Sequence, residues 1–135
     1  MAGYSETPLL KKLGIKAGYT LMISNEPAAY WDWLAPLPEN VEISRKAVKE
    51  SADFIHLFLV ERKTFEKEFL KYKKFLKKDG MLWISWPKKS AGVATNLDEN
   101  IIRNYGLTHG LVDVKVCAVD ETWSGLKFMF RLKDR

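Results

Sequence analysis

The 135-residue chain has one cysteine, Cys117, and two histidines, His56 and His109. It has no apolar run long enough to cross a bilayer. Each scarcity excludes something. A lone cysteine cannot close an internal disulfide, and without Cys partners it cannot build a thiolate zinc site. Two widely separated histidines make a poor metal centre, so no metal is expected. The first residues, MAGYSETPLLKK, lack the apolar core of a secretory signal, which predicts a cytoplasmic setting. No Gly/Ser linker, repeat or low-complexity stretch interrupts residues 1–135, which read as a single domain. No Ser-His-acid or Cys-His arrangement emerges from spacing, and no motif names a reaction.

What is present is core material and charge. Apolar residues make up 47% of the chain, and five Trp, five Tyr and seven Phe argue against disorder. The net charge is +5, and it is concentrated. Residues 61–89 hold ten Lys or Arg against four Asp or Glu, which reads as a partner surface or the solvated face of one helix.

Periodicity and punctuation then divide the chain. Thr7 as N-cap, Pro8 at the first helical position and Gly14 as stop predict a short leading helix. A strand follows over 19–24, an aromatic helix over 28–34 behind Pro27, and a brief second strand over 41–44. Residues 54–60, FIHLFLV, are apolar on both alternating faces apart from His56, as in a central strand covered on both sides. Phe65, Phe69, Tyr72 and Leu76 form one stripe of a helix expected over 61–78 and ended by Asp79-Gly80. A strand over 81–86 comes next. Asn96-x-x-Glu99 reads as a capping box opening a helix over 97–105. Two C-terminal strands follow, joined by the turn at 121–124. Alternating strands and helices predict an α/β, three-layer Rossmann-like domain. Its sheet should be mostly parallel, of about five or six strands, with a C-terminal antiparallel pair.

From Ala52 onward, ADFIHLFL, FLKKDGMLWISWPK and the run from Ile101 to Arg131 resemble the second half of a class I S-adenosylmethionine-dependent methyltransferase. The first half departs from that pattern. Where such enzymes carry a Gly-rich turn, this chain has Asn25-Glu26-Pro27-Ala28-Ala29, and neither Glu26 nor Pro27 supplies the freedom of glycine. The resemblance offers Glu42, in VEISRKAV, as the acid for ribose hydroxyls. About ten residues separate that segment from FIHLFLV, too few for a further strand and helix crossover, so a third strand is expected to be absent. The phrases AGYS-x-TPL, KKLGIK, WPKK, GVAT and VDVKVCAVDETWSGLK are similar, over nearly the whole chain, to a small bacterial family, domain of unknown function 3052.

In a parallel α/β sheet, ligands bind beyond the carboxyl ends of the strands. On that edge the loop at 86–100 offers Lys88 and Lys89 for a phosphate or carboxylate. Ser90 and Thr95 add hydroxyls there, and Gly92 would admit a close backbone. Asp120 and Glu121 could orient the lysines, and Trp123 could stack on a planar ligand. Asn25, Glu26, Glu42 and Arg62 are secondary candidates. Each has a plainer reading: a solvated connector, a hairpin turn, a Trp covering the core. His56 is expected to be a hydrogen-bonded core histidine, His109 a helix-end cap, and Cys117 a small buried hydrophobe on an internal strand. Lys63, Lys67, Lys71, Lys74 and Lys78 form one helical face that nucleic acid could meet, although no nucleic-acid motif accompanies it. The reading favoured by sequence is a non-enzymatic binding or regulatory domain taking a small anionic ligand or a protein partner at the Lys88–Trp123 rim. It expects no cofactor, disfavours S-adenosylmethionine and nucleic acid, and expects no membrane association. The alternative is a divergent, methyltransferase-like enzyme using the same rim.

Overall fold

A computed structural model describes residues 7–135. Six strands form one sheet: β1 (Thr20–Ser24), β2 (Glu42–Ile43), β3 (Ala52–Phe58), β4 (Leu76–Pro87), β5 (Leu111–Ala118) and β6 (Trp123–Phe130). Their spatial order is β2-β1-β3-β4-β6-β5, with the first four parallel and β6 antiparallel to both neighbours. Four helices cover the sheet: α1 (Leu9–Leu13), α2 (Tyr30–Leu34), α3 (Arg62–Lys73) and α4 (Glu99–Thr108). The expected α/β, Rossmann-like architecture with a terminal antiparallel pair is therefore observed.

Alternation along the strands makes two cores. Phe54 and Phe58 of β3 point to the α1/α2 face, where they meet Leu13, Tyr30, Leu34 and Trp83. Ile55 and Leu57 point the other way, to Phe65 and Phe69 of α3, Ile102 of α4 and Phe128 of β6. Burial of Phe65 and Phe69 is complete, worth roughly 2–3 kcal/mol for each ring. That is what holds the lysine-rich α3 on the sheet.

Several boundaries differ from expectation for local reasons. The helix expected over 61–78 ends at Lys73, and β4 already begins at Leu76, paired with Ala52. Between that pair and Phe54↔Met81 the strand steps outward through Lys77, Lys78, Asp79 and Gly80. Lys77 anchors the step on Asp53 at 3.0 Å, and the other Asp53 oxygen accepts from the Thr20 amide at 2.8 Å. Gly80 is required there because a Cβ would sit 3.0 Å from the carbonyl oxygens of Ala52 and Asp53. The five-lysine face is broken as a result. Lys74 becomes the C-cap residue, and Lys78 lies on the strand with its Nζ 4.3 Å from the centre of the Phe130 ring.

Three further expectations are corrected. Asn96 does not cap α4. Asp98 does, its carboxylate accepting from the Ile101 amide at 2.8 Å. Pro8, not Thr7, occupies the N-cap position of α1, while Gly14 ends that helix in the left-handed region as expected. Cys117 lies on β5, an edge strand, and is half-buried. Desolvation raises its thiol pKa, with Lys12 and Lys115 pulling the other way.

Residues 44–51 carry the chain from β2 to β3 without a strand or helix. They end against the link between α3 and β4, where the Glu50 amide donates to the Lys74 carbonyl at 3.0 Å and the Ser51 amide to that of Phe75 at 3.0 Å. The expected absence of a further strand and crossover helix at this place holds.

Candidate functional site

The carboxyl end of β1 forms one lip of a cleft. Ser24 closes the strand, and Asn25 follows with φ 60°. An L-residue in that region is strained unless it is Asn or Asp, whose short polar side chains tolerate it. Asn25 thus provides the left-handed turn that a glycine would provide, which reading the residue types Glu26 and Pro27 did not reveal. Glu26 comes next, one carboxylate oxygen accepting from the indole N–H of Trp31 at 3.2 Å.

The other lip follows β2. Ser44 and the exposed Arg45 stand across from Ser24, Asn25 and Glu26 around a cavity of about 250 Å³, with Met22 and Tyr72 as its apolar wall. The cavity lies beside the coil link at 44–51. Arg45 makes no ion pair or side-chain hydrogen bond among the described residues, so its guanidinium is available to an anion. Glu42 does not reach this cleft: it pairs in register with Thr20 at the start of β1 and is exposed.

The rim favoured by sequence is assembled as expected but is bound up in its own structure. Pro87 pairs with Trp123, and the Lys88 amide donates to the Thr122 carbonyl at 2.8 Å, so the 86–100 loop and the 120–124 turn are neighbours. Asp120 spends one oxygen on the Thr122 and Trp123 amides, at 2.9 and 2.7 Å. Trp123 packs edge-on against Phe58 at 5.1 Å. Thr95 donates to the Val60 carbonyl at 2.5 Å. Asn96 accepts from the Arg62 amide at 2.6 Å and donates to Glu61 at 2.7 Å. That Asn96 contact comes first among the causes holding the Glu61 carboxyl below its usual range. Gly92 has φ 69° with nothing within 4 Å of a Cβ, so it serves a turn and not a close approach. Lys89, Ser90 and Glu121 are exposed. Arg62 pairs with Glu66 on α3 at 3.5 Å.

On the α1/α2 face of the sheet, α2 is fastened to β3 and β4 by a fully buried relay. The Tyr30 hydroxyl lies 2.9 Å from Nδ1 of His56, whose Nε2 lies 2.7 Å from Oγ of Ser85. Burial lowers the His56 pKa to about 3 and raises that of Tyr30. His56 is the satisfied core histidine anticipated from its strand. His109 is the C-cap residue of α4, its amide bonded back into the last turn. Among the described residues, no group of three or more His, Cys, Asp or Glu could hold a metal ion. No helix there is long and apolar enough to cross a membrane.

No protein-family model and no curated protein matches the chain in sequence. Solved structures match it in fold. A methyltransferase dependent on S-adenosylmethionine, from Aquifex aeolicus, superposes with a TM-score of 0.66 at 16% identity, over 91% of this chain and 88% of that one. The 1,6-didemethyltoxoflavin-N1-methyltransferase of Burkholderia thailandensis, solved with S-adenosylhomocysteine, gives 0.61 at 9% identity over 91% and 76%. The magnesium protoporphyrin IX methyltransferase of Synechocystis, with bound S-adenosylmethionine, gives 0.57 at 10% over 91% and 74%. At such identities the likeness establishes the fold. It also corrects the preference for a non-enzymatic binding domain, because these neighbours favour the methyltransferase-like alternative.

Proposed function

We propose that this chain is a divergent, methyltransferase-like enzyme that takes S-adenosylmethionine in the cleft between β1 and β2. The observation that carries this reading is Asn25, whose left-handed backbone turns the chain directly after the first strand of a methyltransferase-like sheet, at the lip of a cavity. A cofactor there would meet Arg45 through its amino-acid carboxylate. Its hydroxyl and ammonium groups would meet Glu26, Ser24 and Ser44. Methyl transfer moves the methyl carbon from the sulfonium to a substrate nucleophile and leaves S-adenosylhomocysteine. Such a step asks the protein chiefly for positioning. A cytoplasmic setting and kinship with the domain of unknown function 3052 family belong to the same reading.

Calorimetric titration with S-adenosylmethionine and S-adenosylhomocysteine tests it. Saturable binding in roughly the micromolar range is expected, weakened at least about tenfold by Arg45→Glu and unchanged by Lys88→Ala/Lys89→Ala. Absence of binding at millimolar ligand would overturn the proposal. Loss of binding confined to the Lys88/Lys89 variant would move the cofactor to the rim.

A further inference from the structure

On the α1/α2 face of the sheet, the described residues cover β1, β3 and β4 and only partly cover the C-terminal hairpin, where Cys117, Lys127 and Met129 are half-buried. There, Lys127 of β6 stands in register between Trp83 of β4 and Lys115 of β5. The Trp83 indole donates to the Leu13 carbonyl at 2.9 Å, bringing the end of α1 alongside. Lys115 donates to the Lys12 carbonyl at 3.1 Å, and Lys16 lies just past Gly14. Four lysines therefore converge from α1, the segment after it, and two strands. Lys127 is half-buried, and its pKa is lowered by desolvation first and then by Lys115 and Lys16.

Among the described residues, no carboxylate forms an ion pair with any of them. The ion pairs among the described residues engage Arg62, Lys71, Lys77 and Arg103, and none of these four lysines. Like charges directly opposed across a strand pair destabilise it, so Lys115 facing Lys127 is a standing cost to the fold. The carboxyl end of α1 accounts for the Lys115 bond. It offers nothing to Lys127, whose side chain makes no hydrogen bond among the described residues.

We propose that this face, with Lys12, Lys16, Lys115 and Lys127, binds the phosphate backbone of a nucleic acid without reading its sequence. Charge complementarity selects the partner. A membrane surface would need large apolar side chains to insert beside the lysines, and this face presents the half-buried Cys117 and Met129 instead. A protein interface would need an apolar anchor pocket at its centre, and a cluster of like charges occupies that place. Fixed cations spread over a sheet face match repeated phosphates, and the affinity follows from counterion release. The site lies away from the cofactor cleft and stands whether or not that cleft binds S-adenosylmethionine.

Fluorescence anisotropy with a mixed-sequence RNA single strand of about 20 nucleotides, titrated at several salt concentrations, tests the proposal. Charge reversal at the two exposed positions, Lys16→Glu/Lys115→Glu, is expected to weaken binding at least about tenfold at low salt. It should also flatten the log–log salt slope by about 1.4, the loss of two single-strand phosphate contacts. A control variant, Lys63→Glu/Lys67→Glu/Lys71→Glu on α3, should change affinity by less than about threefold. A thermal midpoint no lower than that of the wild type certifies the fold of each variant, and relief of the Lys115–Lys127 repulsion should raise it in the first. Three results would overturn the proposal: no RNA binding by the wild type at about 50 mM salt, loss confined to the α3 variant, or binding to anionic vesicles but not to RNA.

Discussion

The Tyr30 hydroxyl and Nδ1 of His56 lie 2.9 Å apart in a site with no solvent exposure at either residue, and Ser85 completes the chain from the other ring nitrogen. A proton added to this imidazole would place an uncompensated charge between Phe54, Phe58 and Trp83. The relay therefore requires neutral His56.

This gives a pH dependence with a definite sign. The folded pKa of His56 is about 3, below the ordinary value of 6.5 that the unfolded chain recovers. Between those values the unfolded state binds the extra proton, so the contribution is complete above pH 6.5 and is lost as pH falls toward 3. The steepest slope from one group is about 1.4 kcal/mol per pH unit. Urea midpoints at pH 7, 6 and 5 should fall in the wild type. They should fall less in His56→Gln, which can still bond both neighbours and does not titrate. Parallel curves for the two proteins would show that His56 is not the group responsible.

Gly106 presents a case where two effects oppose. In the interior of a helix, Gly→Ala ordinarily gains about 1 kcal/mol. Here a Cβ would lie 2.1 Å from Cε1 of Phe128, a ring with no solvent exposure that also packs edge-on against Phe69. Overpacking of this kind costs roughly 1–3 kcal/mol and wins. Gly106→Ala should lower the stability measured by denaturant titration, and Phe128→Leu in the same chain should recover part of the loss. A stabilised single variant would show that α4 can shift outward at no cost.

The central strand, the two-sided core and the lack of a second crossover were legible because they rest on period and length. Alternating Phe54 and Ile55 must face opposite layers, and a link of eight residues cannot hold a strand and a helix. The cleft was less legible because it depends on backbone geometry that residue type alone does not specify. Asn25 reads as an ordinary turn residue until its positive φ is seen. Arg45 follows a two-residue strand, and Tyr72 reads as part of an apolar helical stripe. The rim favoured by sequence is ambiguous for a related reason. Thr95, Asn96 and Asp120 are residue types equally suited to ligands and to turns, and which use prevails depends on contacts more than 30 residues away for the first two.

Asn25 itself is testable by two substitutions. The left-handed conformation costs an ordinary residue about 1–2 kcal/mol, which Gly avoids. Asn25→Ala should destabilise by that amount, and Asn25→Gly should be close to neutral in the same denaturant titration. Equal losses for both would mean that the amide side chain, and not the backbone, matters at this turn.

The loop at 86–100 separates two roles that look alike in sequence. Asp98 satisfies an amide of the first turn of α4, so Asp98→Ala should cost about 1 kcal/mol of global stability. Asn96 instead ties the loop to the start of α3 through the Arg62 amide and Glu61, both at the surface. Its loss removes no buried partner and should leave the unfolding midpoint within about 0.5 kcal/mol of the wild type. Local order should change instead. Hydrogen exchange at the amides of Arg62 and Leu97 should quicken in Asn96→Ala, while α4 stays protected. If Asn96→Ala frayed α4 and Asp98→Ala did not, Asn96 would be the cap after all, and the Glu61–Asn96 tie would be a secondary feature of that end.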